Sequence, residues 1–317
     1  MKVGLDIGGT KIDAVAVDDQ GRPVERVRVP SGFGPAAVLE TAETAVAAIS
    51  SRKGIAVDGF ESVGIGIPGL VDPATGRVDF AVNLGIERLE LGSELTDRLG
   101  VGVSVDNDVR AAALGAGHVS GVQGTMAYLN VGSGMAAAIV VDGRLWTGGS
   151  GIASEIGHLP IDPGGAVCGC GQRGCIETVA SGFGVARQWH TDDSLPVRSL
   201  FNAADAGDPE AMRIRAGLAE GIAAAVRTLV LTVDTGTVIV GGGVSRIGQP
   251  LLDDVRGVLA RWGEAAPFLG RLELPGRVRL LPEGTPVAAV GAALMGEPRH
   301  RRVAQGAHRR QPVLHSA

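Results

Sequence analysis

Two short β-branched runs open the chain, Lys2 to Ile7 and Ile12 to Asp18, with Gly8-Gly9-Thr10 between them. Glycine tolerates the backbone of a tight turn, so the pair predicts a two-stranded hairpin. Val24 to Val29 continues as a third strand, and the alanine-rich stretch Ala36 to Ile49 predicts a helix. Ser62 to Ile67 reads as a strand ending in the turn Pro68-Gly69, and Val101 to Val105 as another. Asp106-Asn107-Asp108 follows, then a helical run from Val109 to Ala116. Strands joined by crossover helices make this first part α/β.

The pattern then starts over. Aligned without gaps, Asp6–Asp18 and Asn130–Asp142 share glycine, alanine, valine and aspartate at four equivalent positions, and Gly-Arg follows each within three residues. A repeat of this kind implies two similar domains whose turns face a shared cleft, although any glycine-turn hairpin of valines would align comparably. Later, Pro209 to Thr232 predicts a long helix, and Val238 to Ser245 a strand ending in Gly241-Gly242-Gly243. Pro250 to Trp262 predicts a helix, Val278 to Leu281 a last strand and Pro286 to Met295 a last helix. The expected division is a small domain of residues 1–115 completed by the helix at 286–296, and a large domain of residues 116–285. The tail from Glu297 to Ala317, with five arginines, three histidines and few apolar residues, is expected to be disordered.

Composition narrows the class. At 317 residues the chain has room for two domains and a sizeable core, and 45% apolar with 20% charged residues is ordinary for a globular protein. A net charge of −5 argues against a non-specific nucleic-acid surface. Only Lys2, Lys11 and Lys53 are lysines, which marks a compositional bias toward arginine rather than many selected guanidinium sites. Asp6 and Lys11 interrupt the apolar start, so no signal peptide is expected. The apolar run Gly221 to Val233 carries Arg227 and is too short to span a bilayer. A reducing cytoplasm is the expected home.

All three cysteines, Cys168, Cys170 and Cys175, fall within eight residues, ten positions after His158. Core cysteines rarely cluster among glycines in a segment so poor in apolar side chains. A disulfide would leave one thiol unpaired and would need an oxidising compartment. The C-x-C-x4-C spacing in an acidic chain does not suit a nucleic-acid zinc finger. Three thiolates and one imidazole do complete a tetrahedral zinc set with no position left for a catalytic water, so the metal would be structural.

The motif Cys168-x-Cys170-Gly171-x-x-Gly174-Cys175-x-Glu177, preceded by Glu155-x-Gly157-His158, resembles the signature of the ROK family of sugar kinases and sugar-responsive repressors. The resemblance extends over residues 2–296. It implies an actin-like ATPase fold, ribonuclease H-like, with duplicated α/β domains around a central cleft. It also implies zinc on His158, Cys168, Cys170 and Cys175, and a homodimer. Repressors of the family carry a helix-turn-helix ahead of the first strand, which here begins at residue 2, so a kinase is expected, with no nucleic-acid partner and no membrane.

Single glycine turns are usually only turns. Taken together, Gly8-Gly9-Thr10, Gly132-Ser133-Gly134 and Gly241-Gly242-Gly243 match the two phosphate loops and the adenosine-side loop of the superfamily, with Lys11 beside the first. None carries the P-loop or the G-x-G-x-x-G spacing. The resemblance makes Asp108 the base that accepts the sugar hydroxyl proton, and Asp6 the residue that faces magnesium through water. Asn83, Asn107, Asp108, Glu155, His158 and Glu177 would ring the sugar, because carboxylates and amides engage vicinal hydroxyls in pairs. The bland readings are a helix cap for Asp108 and a turn residue for Asn83. A position at a helix N-terminus would hold the Asp108 pKa low. ATP-dependent phosphorylation of glucose is the expected activity, with an N-acetylhexosamine kinase or a kinase-dead sensor as alternatives. Two positions depart from the family: Met135-Ala136-Ala137-Ala138 stands where further glycines are usual, which predicts weaker ATP use, and Arg110 stands where a small polar residue is usual.

Overall fold

Period-two alternation and glycine punctuation build the first sheet from β1 (Lys2–Ile7), β2 (Lys11–Val17), β3 (Pro23–Pro30), β4 (Val63–Ile67) and β8 (Val103–Asn107). The computed structural model describes residues 1–149, 151 and 153–296. The strand order is β3-β2-β1-β4-β8. The first three are antiparallel hairpin partners, whereas β4 and β8 run parallel to β1. Helix α1 (Pro35–Lys53) covers one face, burying Val38, Leu39, Ala42, Val46 and Ile49, and ends at Gly54 in the left-handed conformation. A small antiparallel sheet of β5 (Leu70–Asp72), β6 (Arg77–Ala81) and β7 (Ile86–Leu89), followed by α2 (Leu91–Leu99), fills the connection from β4 to β8.

After α3 (Asp108–Ser120), the second sheet repeats the first. Its strands β9 (Thr125–Val131), β10 (Met135–Val141), β11 (Arg144–Trp146), β12 (Thr237–Gly241) and β13 (Val278–Leu280) lie in the order β11-β10-β9-β12-β13. Again two hairpins come first and two parallel strands follow. The ungapped alignment of Asp6–Asp18 with Asn130–Asp142 carries Lys11–Val17 onto Met135–Val141, the bounds of β2 and β10. The internal repeat is therefore a structural one.

Between β11 and β12 lie the cysteine-rich segment, α4 (Gly182–Ala186), α5 (Pro196–Asp205) and α6 (Pro209–Val233). Asp208 caps α6, accepting from the Ala211 N–H at 2.8 Å, and Pro209 stands at its first turn. This helix is long and apolar enough to cross a membrane, but twelve of its residues are buried, ten of them, including Leu218, Ile222 and Val226, in the core of the second sheet. It is a core helix. Next come α7 (Gln249–Ala265) and the short α8 (Pro267–Gly270) and α9 (Leu274–Arg277), before β13 and the last helix α10 (Val287–Met295).

Two helices lie between the sheets. Ala112, Ala113 and Ala116 of α3 pack with Met126, Tyr128 and Ile239 of the second sheet, while Ala289, Val290 and Ala293 of α10 pack with Val15 and Val17 of the first. The helices cross with backbones in contact. A Cβ on Gly115 would overlap the Val287 carbonyl oxygen, and one on Gly291 would overlap that of Ala111. The segment 297–317, expected to be disordered, lies outside the described residues.

Candidate active site and metal centre

The ends of β1, β9 and β12 meet the start of α3 at a cavity of about 490 Å³, lined by Asp6, Lys11, Asp108, Asn130, Gly242 and Gly243 among others. That volume suits a small organic ligand. A larger space of about 1240 Å³ lies against the C-terminal half of α3, beside His118, Asp142 and Arg144, and includes none of the candidate catalytic, binding or metal-ligating residues. Convergent chemistry, rather than size, marks the smaller cavity as the site.

Strand β8 ends at Asn107 and α3 begins at Asp108, two residues beyond the sequence expectation for the strand end. Asn107, not Asp108, is the helix cap: its Oδ1 accepts from the Val109 N–H at 2.9 Å, and its Nδ2 reaches the Gly69 carbonyl at 3.4 Å. The Asp108 carboxylate also accepts from Val109, at 3.0 Å. The expectation of a low Asp108 pKa is corrected here. Burial pushes it above the usual carboxylate range and outweighs the pull of the helix amides. A carboxylate held up in this way is a better proton acceptor.

Asp6, at the end of β1, is held at about 7, first by burial and then by the charges of Asp108 and Asp13, against the opposing pull of Lys11 and Arg26. Asp13 is itself paired with Arg26 at 2.7 Å and with Arg28 at 3.0 Å. Because the native state binds this proton more tightly than the unfolded chain, stability without metal falls as pH rises from about 4 to about 7, then levels. Asp6→Asn is expected to raise the melting temperature more at about pH 8 than at about pH 5. Thermal melts of both proteins in chelator check this, and an equal shift at the two pH values removes the assignment.

Of the three glycine turns, the third lines the cavity, while residues 8–10 and 132–134 are not among its lining. Gly8 donates to the Lys11 carbonyl at 3.0 Å, and Gly9 lies against Asn83, whose Cβ would be 3.3 Å from a Cβ on the glycine. Gly132 donates to the Gly134 carbonyl at 2.9 Å, closing the second turn around Ser133. Gly242 has φ of 87°, and a Cβ there would lie 2.7 Å from Asn130 Oδ1, so the third turn rests on the end of β9. Gly242 and Gly243 line the cavity, whereas Gly241 is buried as the last residue of β12. Residues 135–138 are regular strand with no positive φ. Ala138 packs beneath α3 with Ala112 and Tyr128, and Ala137 joins the core on the opposite face. Ala136 is the half-buried one of the three alanines and pairs with Asn130 of β9.

The ligand atoms of His158, Cys168, Cys170 and Cys175 all lie within 4.8 Å of one another. His158 Nδ1 is 3.6 Å from Cys168 Sγ, and Cys170 Sγ is 3.7 Å from Cys175 Sγ. Tetrahedral zinc, with bonds of about 2.3 Å to sulfur and 2.0–2.1 Å to nitrogen, sets such edges at about 3.8 and 3.5 Å. The donor set fits zinc. Burial pushes the Cys175 thiol up to about 12, with the neighbouring thiols adding to it, so a cation is needed to hold the three as thiolates together. The C-terminal neighbour of this cluster, Glu177, joins it to the second glycine turn: Oε2 accepts from the Met135 N–H at 3.1 Å, and Oε1 lies 3.5 Å from Cys168 Sγ and 3.9 Å from His158 Nδ1. Glu155 is exposed just before the short helical turn Ile156–His158.

Arg110 also has a defined place. It pairs with the buried Asp106 at 3.1 Å and donates to the Gly151 carbonyl, tying the first turn of α3 to the loop before Glu155. Tyr128 and Asn130, neither of them expected at the site from the sequence, line the cavity as well. The available signal was the repeat, which aligns Asn130 with Asp6.

A ROK family profile matches residues 2–271. This chain belongs to the ROK family. It is 32% identical over 275 residues to a glucokinase of Halalkalibacterium halodurans, an alignment covering 80% of this chain and 83% of that one. It is 34% identical over 267 residues to an N-acetylmannosamine kinase of Citrobacter koseri, covering 82% and 88%. The crystal structure of a ROK family glucokinase from Streptomyces griseus in complex with glucose and AMPPNP superposes with a TM-score of 0.75 at 31% identity, covering 93% of this chain and 98% of that one. The fold is that of the ROK sugar kinases, the actin-like ATPase fold, and sugar kinase is the activity these relatives share.

Proposed function

We propose that this ROK family chain transfers the terminal phosphoryl group of ATP to the 6-hydroxyl of a hexose, glucose first, giving glucose 6-phosphate. The observation that carries the reading is the meeting of Asp6 and Asp108 in one cavity with the third glycine turn, between two sheets of repeated topology. Asp108 accepts the proton of the 6-hydroxyl as its oxygen bonds to the γ-phosphorus and the bond to the β,γ-bridging oxygen breaks, leaving ADP. Asn107 orients the neighbouring hydroxyl, while Asn83 closes one side of the sugar next to Gly9. Glu155, His158 and Glu177 hold the opposite side. His158, whose Nδ1 is the nitrogen beside Cys168 Sγ, would keep Nε2 for the sugar while zinc is bound.

Amides of the Gly8–Thr10 and Gly132–Gly134 turns, with Lys11, would cradle the phosphates, and Gly241–Gly243 the adenosine side. Asp6 would hold magnesium through water, which supplies charge neutralisation on the phosphates when bound. Zinc on His158, Cys168, Cys170 and Cys175 would shape the sugar loop. The three free thiols suit a reducing cytoplasm, and a homodimer belongs to the same reading.

N-acetylmannosamine is the second acceptor to consider, favoured by the 34% identity to the Citrobacter koseri kinase. ATP consumption measured over glucose, mannose, N-acetylglucosamine and N-acetylmannosamine decides between them. Activity on none of these, with sugar binding retained, would point to a sensor instead.

A further inference from the structure

Strand β9 sends its residues alternately to two places. Ala127, Leu129 and Val131 join the core of the second sheet, while Met126 and Tyr128 pack with α3, and Asn130 follows on that same face at the cavity. Tyr128 is only 3% exposed, yet its side chain lines the cavity together with Asp6 and Asp108. Its phenol oxygen lies over the end of β12. A Cβ on Gly241 would overlap it, which explains a glycine in a buried strand position where φ is unexceptional. The Gly242 amide is directed at the same oxygen. Burial, Asp6 and Asp108 all push the phenol pKa up, so it stays neutral and keeps its proton.

A buried hydroxyl that receives an amide on one side and keeps a proton to give has its own ligand requirement. It fits an oxygen that only accepts, with two carboxylates near enough to need a cation or a proton between them and the ligand. Phosphoryl oxygens are of that kind, whereas a sugar hydroxyl both accepts and donates and can satisfy the carboxylates instead. Asn130, the repeat counterpart of Asp6, lies beside it, with Nδ2 toward Gly132 and Oδ1 toward Gly242. We propose that Tyr128 donates a hydrogen bond to the transferring phosphoryl group, with the Asn130 amide as a second neutral donor at the seam of the second and third glycine turns. This rests on the kinase reading and adds two residues of this chain to it.

Tyr128→Phe removes the oxygen and leaves the packed ring. A hydrogen bond to a charged group is worth about 1.5–3 kcal/mol, so kcat is expected to fall about 10- to 100-fold, with glucose affinity and melting temperature unchanged. Asn130→Ala is expected to raise KM for ATP and weaken calorimetric AMPPNP binding several-fold. If Tyr128→Phe keeps kcat and KM for ATP within about two-fold of the parent, the proposal is overturned. It is also overturned if the loss is confined to a shift of the acid limb of the pH profile, because the hydroxyl would then act on Asp108 alone. A parent protein that turns over no sugar would refute the kinase reading. In that case AMPPNP binding, tighter to the parent than to either variant, still decides this proposal, and equal binding rejects it.

Discussion

Asp108→Ala is expected to lower turnover by roughly 10²–10⁴-fold while sugar binding survives within a few-fold. The fold should tolerate the change. Asn107 supplies the helix cap through its own bond to Val109, so α3 keeps its N-terminal turn, and the lost carboxylate bond is a second one to the same amide. The raised Asp108 pKa adds a signature: in the parent, activity should fall with acidity above the ordinary carboxylate range, and that limb should vanish from the residual rate of the variant. Coupled-assay rates against pH, with calorimetric sugar binding, measure both. Near-parental turnover would remove Asp108 from the chemistry.

Zinc should be present at one ion per chain, and its loss should act on both halves of the site. Structural zinc contributes on the order of 10 kcal/mol to ordering its ligands. Cys175 is fully buried and joined through the Cys175–Ile176–Glu177 turn to a carboxylate that holds the Met135 amide. Cys175→Ser is therefore expected to lose the metal, lower the melting temperature and weaken sugar binding more than tenfold, with a smaller rise in KM for ATP through the second glycine turn. Metal analysis of freshly purified protein, before and after chelation, gives the direct answer. No stoichiometric zinc, or chelation without effect on sugar binding, rejects the assignment.

Local signals carried much of the fold. The runs of β1 and β2, the long apolar span of α6 and the repeat that predicts the second sheet all depend on periodicity within about ten residues or on self-similarity, both visible in a single chain. The small sheet at β5–β7 was not legible, because charged residues occupy strand positions: Asp79 pairs along β6 with Arg77 and across to β7 with Arg88. At the site, the cysteine cluster was readable because its ligands lie close in sequence. The Asp108 pKa was not, since the local helix amides pull it one way and burial beneath the second sheet pushes it the other.

The placement of α10 has a consequence for the order in which the protein is made. Residues 2–107 carry every strand of the first sheet, but Val15 and Val17 find their covering partners only in Ala289, Val290 and Ala293. On the ribosome, α3 can cover β4, but the part of that face over β1 and β2 stays uncovered until α10 emerges. The second sheet, covered by α3 and α6, has its helical partners already available when β12 and β13 appear. Vectorial synthesis thus favours completion of the second sheet before the first is covered.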